Sequence, residues 1–439
     1  VRAADLIAIK RDGGEWTSEQ IDWFVMGFVH GEVPDYQMAA WLMAVCTCGM
    51  TARETADLTL VMATSGDQID LSSLGTATAD KHSSGGVGDK TSLIVGPLAA
   101  ACGVKVAKMS GRGLAHTGGT IDKLESIQGF KTSLSLAEFI AQVEQIGLVI
   151  AGQTANLAPA DKKMYALRDV TATVPSIPLI ASSIMSKKIA AGARNIVLDV
   201  KTGEGAFMRT VEDAIDLAQT MVAIGSHLGR KVVTLITDMN QPLGQAVGNA
   251  IEVAEAWATL QAQGPADLTQ LSVELASEMV RLALDKPEQE ARKRVEEALT
   301  SGRAAACFRA WIEAQGGVWQ ADELVMPQAP CIVPVAAASN GAVLQVSALT
   351  IGQAAMELGA GRAHLDDVID HSVGLQVCKR VGDNVLAGEP LAFIHASDRA
   401  RADAVMAMAQ SAFQLTHTKV AAPPLFYAKV DEWGECSYS

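Results

Sequence analysis

The spacing of apolar residues changes character along the chain. Up to about residue 65 it is helical. Leu6, Ile7 and Ile9 belong to a first helix ending near Gly13 and Gly14. Thr17 and Gln20 form a capping box that opens a second, carrying Ile21, Phe24, Val25 and Phe28. Pro34 starts a third that runs through Trp41 to Gly49, and Thr51 with Glu54 caps a fourth that stops near Gly66. After Gly75 the pattern changes. Runs rich in β-branched residues, Val104 to Val106, Leu148 to Ile150, Ile196 to Val200 and Val232 to Thr237, alternate with helical stretches. Alternation of this kind predicts a largely parallel sheet covered on both faces. From about 154 to 192 the pattern is helical again, with Pro175 and Pro178 introducing Leu179 to Ala191. Beyond 330 come many short apolar runs with few helix signals, and Val381 to Asp383 and Gly388 to Leu391 bracket a hairpin of the lipoyl/biotinyl-like sort. No Met-Lys-Met accompanies it, so a covalent cofactor there is not expected.

The predicted fold class is therefore α/β with a small all-helical domain, a large domain with a mixed, mostly parallel sheet, a cleft between them and an α+β C-terminal region. The helical domain takes residues 1–65 and 154–192, with a connector at 66–79. The sheet domain takes 80–153 and 193–330, and the C-terminal region 331–439. A chain of 439 residues is too long for one ordinary core, which agrees with that division.

Composition narrows the class of function. With 49% hydrophobic and 19% charged residues the chain reads as a folded enzyme rather than a disordered one. A formal net charge of -14 argues against nucleic acid as a partner, because a phosphate backbone needs a basic face. No apolar run approaches the ~20 residues that span a bilayer, and the opening residues carry no signal-peptide pattern. The seven cysteines include no CxxC pair, and Cys46 and Cys48 read as core thiols, so a reduced, cytoplasmic setting is expected.

Two glycine-rich loops carry the candidate chemistry. The first, Asp80-Lys-His-Ser-Ser-Gly-Gly-Val-Gly-Asp-Lys90, ends a strand and opens a helix from Thr91 to Cys102. Glycines let backbone N–H groups converge on one anion, and the helix N-terminus adds positive potential. The register does not fit a P-loop. A second loop follows the next strand, from Lys108 to Thr120, with Ser110 and Thr120 as hydroxyl donors and Lys108 as a charge at the strand end. Two such loops after neighbouring strands can close on one phosphate from two sides. Arg112 and His116 are either direct ligands or structural.

The run Ser110-Gly-Arg-Gly-Leu-Ala-His-Thr-Gly-Gly-Thr-Ile-Asp-Lys-Leu-Glu125 resembles the signature of thymidine and pyrimidine-nucleoside phosphorylases. Lys81-His82-Ser83 with its loop, and Thr237-Asp-Met-Asn-Gln-Pro-Leu243, are similar to the same family. The resemblance implies reversible phosphorolysis of uridine, thymidine and deoxyuridine to free base and ribose or deoxyribose 1-phosphate, in a homodimer without an organic cofactor. It places phosphate on Lys81, Ser83, Ser92, Lys108, Ser110 and Thr120. It places the pyrimidine on Arg168, Ser183 and Lys187, with His82 near the base O2 and His82, Arg168 and Lys187 as the catalytic set. Ser183 and Lys187 stand four apart on a helix and so share a face. Tyr165, one turn before Arg168, lines the same pocket or packs. A residue like Lys108 marks the broad pyrimidine-nucleoside enzymes; thymidine-selective relatives tend to be apolar there. A related phosphoribosyltransferase is the alternative, but it should carry an acidic cluster for Mg²⁺. The resemblance also implies a monovalent cation, K⁺, at Gly88, residue 90, Leu243, Ala246 and Glu255. Relatives often have Thr at the second of these. Here Lys90 either pairs with Glu255 in the ion's place or points to solvent, leaving the ion to backbone carbonyls.

Overall fold

The architecture follows from caps, strand runs and one crossover. In the computed structural model, which describes residues 2–113, 118–154, 156–362 and 367–437, four N-terminal helices form first: α1 (Ala3–Arg11), α2 (Ser18–His30), α3 (Asp35–Cys48) and α4 (Ala52–Thr64). The capping boxes at Thr17–Gln20 and Thr51–Glu54 are both made. Trp16, Phe24 and Trp41 fill the bundle's centre, Trp16 lying 5.0 Å from Phe24 and 5.3 Å from Trp41 by ring centroids. Ala160, Met164 and Leu179, more than a hundred residues downstream of α3, pack into the same core. The chain thus leaves the bundle, builds half a sheet and returns.

That sheet has seven strands. Its parallel centre is β1 (Thr78–Ser83), β2 (Lys105–Ser110), β3 (Leu148–Gly152), β4 (Asn195–Thr202) and β5 (Lys231–Asp238), in spatial order β5-β4-β1-β2-β3. Strands Phe426–Asp431 and Gly434–Ser437 extend it antiparallel beyond β5. Growth goes one way from β1 through β3 and the other way through β4 and β5, so the strand order reverses between β1 and β4. Ligands of open α/β sheets bind at that crevice, off the C-terminal strand ends. One face of the sheet is covered by α5 (Thr91–Ala101), and the other by α7 (Leu136–Ile146), α9 (Ile177–Ala190) and α10 (Val211–His227). Leu179 of α9 packs in the bundle while Met185 and Ile189 pack on the sheet, so α9 joins the two cores.

The C-terminal region is stitched to the rest at both ends. Ala246–Gly248, from the sheet domain, pairs with Gly374–Val377 in a four-stranded antiparallel sheet, and Phe426–Asp431 returns to the edge of β5. The expected hairpin between Val381 and Leu391 is corrected here. Asn384–Val385 pairs with Gly341–Val346, whereas Pro390–Ala396 pairs with Gly374–Val377 and Cys331–Ala336, so the two strands enter different sheets. Val385 and Ile394 are nonetheless both buried in one core.

Candidate active site

The strand ends and α9 bring the candidate residues to one cleft. A cavity of ≈ 420 Å³ is lined on the sheet side by His82, Ser83, Ser92, Lys108, Ser110 and Thr120. Tyr165, Arg168, Ser183 and Lys187 line it from the helical side. Phe207 and Met208, which no sequence signal singled out, complete its apolar wall. A volume of this size suits a small-molecule ligand. A cavity of ≈ 470 Å³ lies elsewhere, beside Asp267, Arg380 and Pro423. There Arg380 is paired to Asp267 at 2.6 Å, Asp238 accepts from Tyr427 at 3.0 Å and Asn240 at 2.6 Å, and neither glycine loop reaches this cavity.

On the sheet side the chemistry stands on buried charges. Of the residues assigned to phosphate and pyrimidine, all of them described, Lys81 alone does not line the cleft. Its ammonium lies beneath the first loop, donating to Thr91 Oγ1 at 2.5 Å and standing 3.9 Å from both Asp89 and Asp199. Below it Asp199 pairs with Lys201 at 2.8 Å and accepts from Thr237 Oγ1 at 2.6 Å. Burial pushes the Lys81 ammonium toward neutrality, and the two carboxylates oppose that. Asp89 is held well below the usual carboxylate range because Lys81 and Lys201 overcome its burial. Lys108 donates to the Lys81 carbonyl at 2.5 Å and lies 3.6 Å from Asp80. Asp80 is committed to Lys188 of α9 at 2.7 Å. Burial, with Lys188 adding repulsion, brings the Lys108 pKa down to about 7. His82 sits among Lys188, Lys108, Lys187 and Lys81; burial first, then these four cations, hold it well below its ordinary value, as neutral imidazole.

The second loop is braced. Arg112, which also lines the cavity, forks onto Glu125 at 2.6 and 2.7 Å and reaches Asp122 at 3.1 Å, ion pairs that hold the loop in place. Gly119 must be glycine, since a Cβ there would meet the backbone nitrogen of Gly113 at 2.0 Å. Thr120 then opens the short helix α6 (Thr120–Glu125) facing the cavity. His116 lies outside the described residues.

On the helical side, α8 (Pro159–Val170) and α9 supply the base-facing groups. Arg168 is buried and donates to the carbonyls of Thr173 at 3.2 Å, Leu179 at 3.1 Å and Val174 at 2.7 Å. A guanidinium has five N–H donors, so these bonds fix the fork and leave two for a ligand. Tyr165 covers it, ring centroid 5.7 Å from the guanidinium carbon. Lys187 donates to Ser183 Oγ at 3.2 Å, as the i,i+4 spacing requires, and to Asp161 at 2.6 Å. Asp161 was not legible in the sequence: it is 26 residues away and meets Lys187 only because α8 folds against α9. Asp199 and Lys201 left a signal, two charges at i,i+2 inside an otherwise apolar strand run.

Asp89 is the one carboxylate among the described residues that lines the cleft. Among the described residues, the one acidic group with metal-like spacing is Glu274, Glu278 and Glu288. It is neutralised by Arg292, Arg281 and Lys429 and stands apart from the cavity.

Comparison with known proteins agrees with this layout. Residues 4–66 match the profile of the glycosyl transferase family helical bundle domain, and residues 75–305 that of the same family's a/b domain. Residues 342–416 match the pyrimidine nucleoside phosphorylase C-terminal domain. The solved anthranilate phosphoribosyltransferase (TrpD) of Thermus thermophilus shares the fold, with a TM-score of 0.58 at 18% identity, over 71% of this chain and 99% of that one. The helical bundle, the sheet domain and the cleft between them therefore define a glycosyltransferase of the two-domain class. Among the curated relatives, the pyrimidine-nucleoside phosphorylase of Geobacillus stearothermophilus is 51% identical over 433 residues, covering 98% of this chain and all of its own. That of Bacillus subtilis is 50% identical over 435 residues with the same coverage. The chain belongs to the pyrimidine-nucleoside phosphorylase family.

Proposed function

We infer that the chain catalyses the reversible phosphorolysis of pyrimidine nucleosides, giving the free base and ribose or deoxyribose 1-phosphate. The observation that carries this reading is the facing of the two glycine loops, with Ser83, Ser92, Ser110 and Thr120, against Arg168, Ser183 and Lys187 across one cavity. Phosphate is assigned to the loops and the pyrimidine to α8 and α9. A phosphate oxygen attacks C1′ as the C1′–N1 bond breaks, and the bonding electron pair leaves with the base. Negative charge then grows on the base oxygens, where Lys187 and the two remaining Arg168 donors stabilise it. Lys81 acts from beneath the loop, holding its position and adding positive potential. The two sides close on each other about connectors near 66–79, 153–162 and 189–196. The enzyme works as a homodimer in the cytoplasm. Release of free uracil or thymine from uridine or thymidine only when phosphate is supplied tests the assignment. Activity that instead needs Mg²⁺ and phosphoribosyl pyrophosphate would replace it with a phosphoribosyltransferase.

His82 starts neutral, so it cannot arrive as a ready acid. Phosphate binding beside Lys108 cancels part of the positive field around the imidazole. The ring can then take up a proton and pass it to the leaving base. His82→Ala is expected to lower kcat about a hundredfold, the scale of a positioned proton donor, with phosphate affinity nearly intact. A variant that loses phosphate binding alone would make His82 an anion ligand instead.

Lys108 gives a pH signature. With a pKa of about 7 in the free enzyme, it is half ammonium at neutral pH. A bound phosphate favours the charged form and raises that pKa. Binding therefore takes up protons, and affinity is full below about pH 7 and falls as pH rises through and beyond it. Phosphate titrates nearby, so the informative quantity is the difference between wild type and Lys108→Met in calorimetry across buffers of different ionisation heat. Equal proton uptake in both would remove Lys108 from the phosphate site. Both uridine and thymidine are expected substrates, and Lys108→Met is expected to shift kcat/KM toward thymidine.

A further inference from the structure

The K⁺ that the family resemblance implies does not fit the residues of this chain. The Lys90 side chain is 0% exposed, and its ammonium donates to the Leu243 carbonyl at 3.1 Å, the Ala246 carbonyl at 2.8 Å and Glu255 Oε2 at 2.5 Å. A lysine ammonium has three N–H donors and no acceptor, and here all three are used. The remaining oxygens have hydrogen-bond partners as well. The Gly88 carbonyl accepts from the Lys90 backbone N–H at 3.0 Å, and Glu255 Oε1 accepts from the N–H groups of Gln245 at 2.9 Å and Ala246 at 3.1 Å. Gly244 closes the cage: its φ is +67°, and a Cβ on it would lie 2.4 Å from Glu255 Oε2 and 3.1 Å from the Lys90 nitrogen. A metal ion entering this cage would stand within ~4 Å of a buried positive charge and be repelled.

We propose that Lys90 is a built-in replacement for the monovalent cation, which makes this enzyme independent of K⁺ and Na⁺. The charge ties together the same two pieces that an ion would. One is the phosphate loop, which Lys90 ends. The other is the 242–248 segment, whose strand pairs with Gly374–Val377 and whose carbonyls at Pro242 and Gly244 are gripped by Arg380 at 2.5 and 2.7 Å. An ammonium on a side chain cannot dissociate, so the loop holds its place at any salt composition.

The mechanism of the tie rests on the activity inferred above, but its thermal test needs no substrate. Wild-type rates and Tm are expected to be the same in K⁺, Na⁺ and choline at constant ionic strength. Lys90→Thr removes the ammonium and offers a hydroxyl oxygen. In choline it is expected to lose about ten- to a hundredfold in kcat/KM for phosphate, the scale of one hydrogen bond to a charged group. Added K⁺ should restore that loss along a saturation curve, with Tm rising in parallel as for any ligand that binds the folded state. Should Lys90→Thr fail to fold in every salt, the wild-type Tm series and anomalous scattering from Rb⁺-soaked wild-type crystals decide alone. Rb⁺ between the Leu243 and Ala246 carbonyls, activation of the wild type by K⁺, or a folded Lys90→Thr indifferent to cations would overturn the proposal. If the Tm results hold while phosphorolysis is absent, the assigned activity fails and the cation replacement stands.

Discussion

Lys187→Ala is expected to lower kcat by roughly 10²–10³, the effect of removing one preorganised donor from a developing anion. The substitution also leaves Asp161, 5% exposed, without its ammonium partner. Oδ1 of Asp161 already has no hydrogen-bond partner among the described residues. Orphaning the carboxylate should cost about 1.5–3 kcal/mol of stability, so a slower variant could also be a looser one. A double variant separates the two effects. Lys187→Ala with Asp161→Asn removes the stranded charge and should recover most of the Tm, while kcat stays low. Recovery of kcat together with Tm would mean that Lys187 serves only to hold α8 against α9. Wild-type kinetics in the single variant would remove it from the site altogether.

The largest expected loss of stability comes from Asp199→Ala. Asp199 and Lys201 are both 0% exposed on β4, and Lys81 lies 3.9 Å from the same carboxylate. Removing it leaves two buried ammoniums, with Thr237 and the more distant Asp89 as partial compensation. Breaking a buried pair from one side typically costs about 3–5 kcal/mol. A denaturant titration that finds a change under about 1 kcal/mol would show the cluster to be hydrated or slack. Replacing both members, Asp199→Leu with Lys201→Met, should return part of the stability, because Lys201 is no longer stranded and Lys81 keeps Asp89 at 3.9 Å as its carboxylate. Phosphate affinity should not return with it. Lys81 holds the first loop through Thr91, and its position depends on the carboxylates around it.

Several features were readable because their cause is local. The capping boxes at Thr17–Gln20 and Thr51–Glu54 need only three residues of separation, and both formed. The strand runs at β2 to β5 follow from continuous β-branched stretches that a sheet covered on both faces buries along their length, and the face shared by Ser183 and Lys187 from a period of 3.6 residues. The glycine loops were readable as strand-to-helix turns for the same reason, since backbone freedom belongs to the segment itself, and both line the cavity. The 381–391 hairpin failed because a turn signal says that two strands reverse, not which neighbours they pair with.

By itself, then, the sequence determined the fold class and the family, both written in contiguous residues. Only the tertiary structure decided what the charges do. It turned Lys81 beneath the loop rather than into the cleft, pinned Arg168 through three carbonyls and gave Lys187 its partner in Asp161. It also seated Lys90 against residues more than 150 positions away. A long, flexible ammonium or guanidinium can reach acceptors in many directions, and its choice depends on which carbonyls and carboxylates folding has stripped of water.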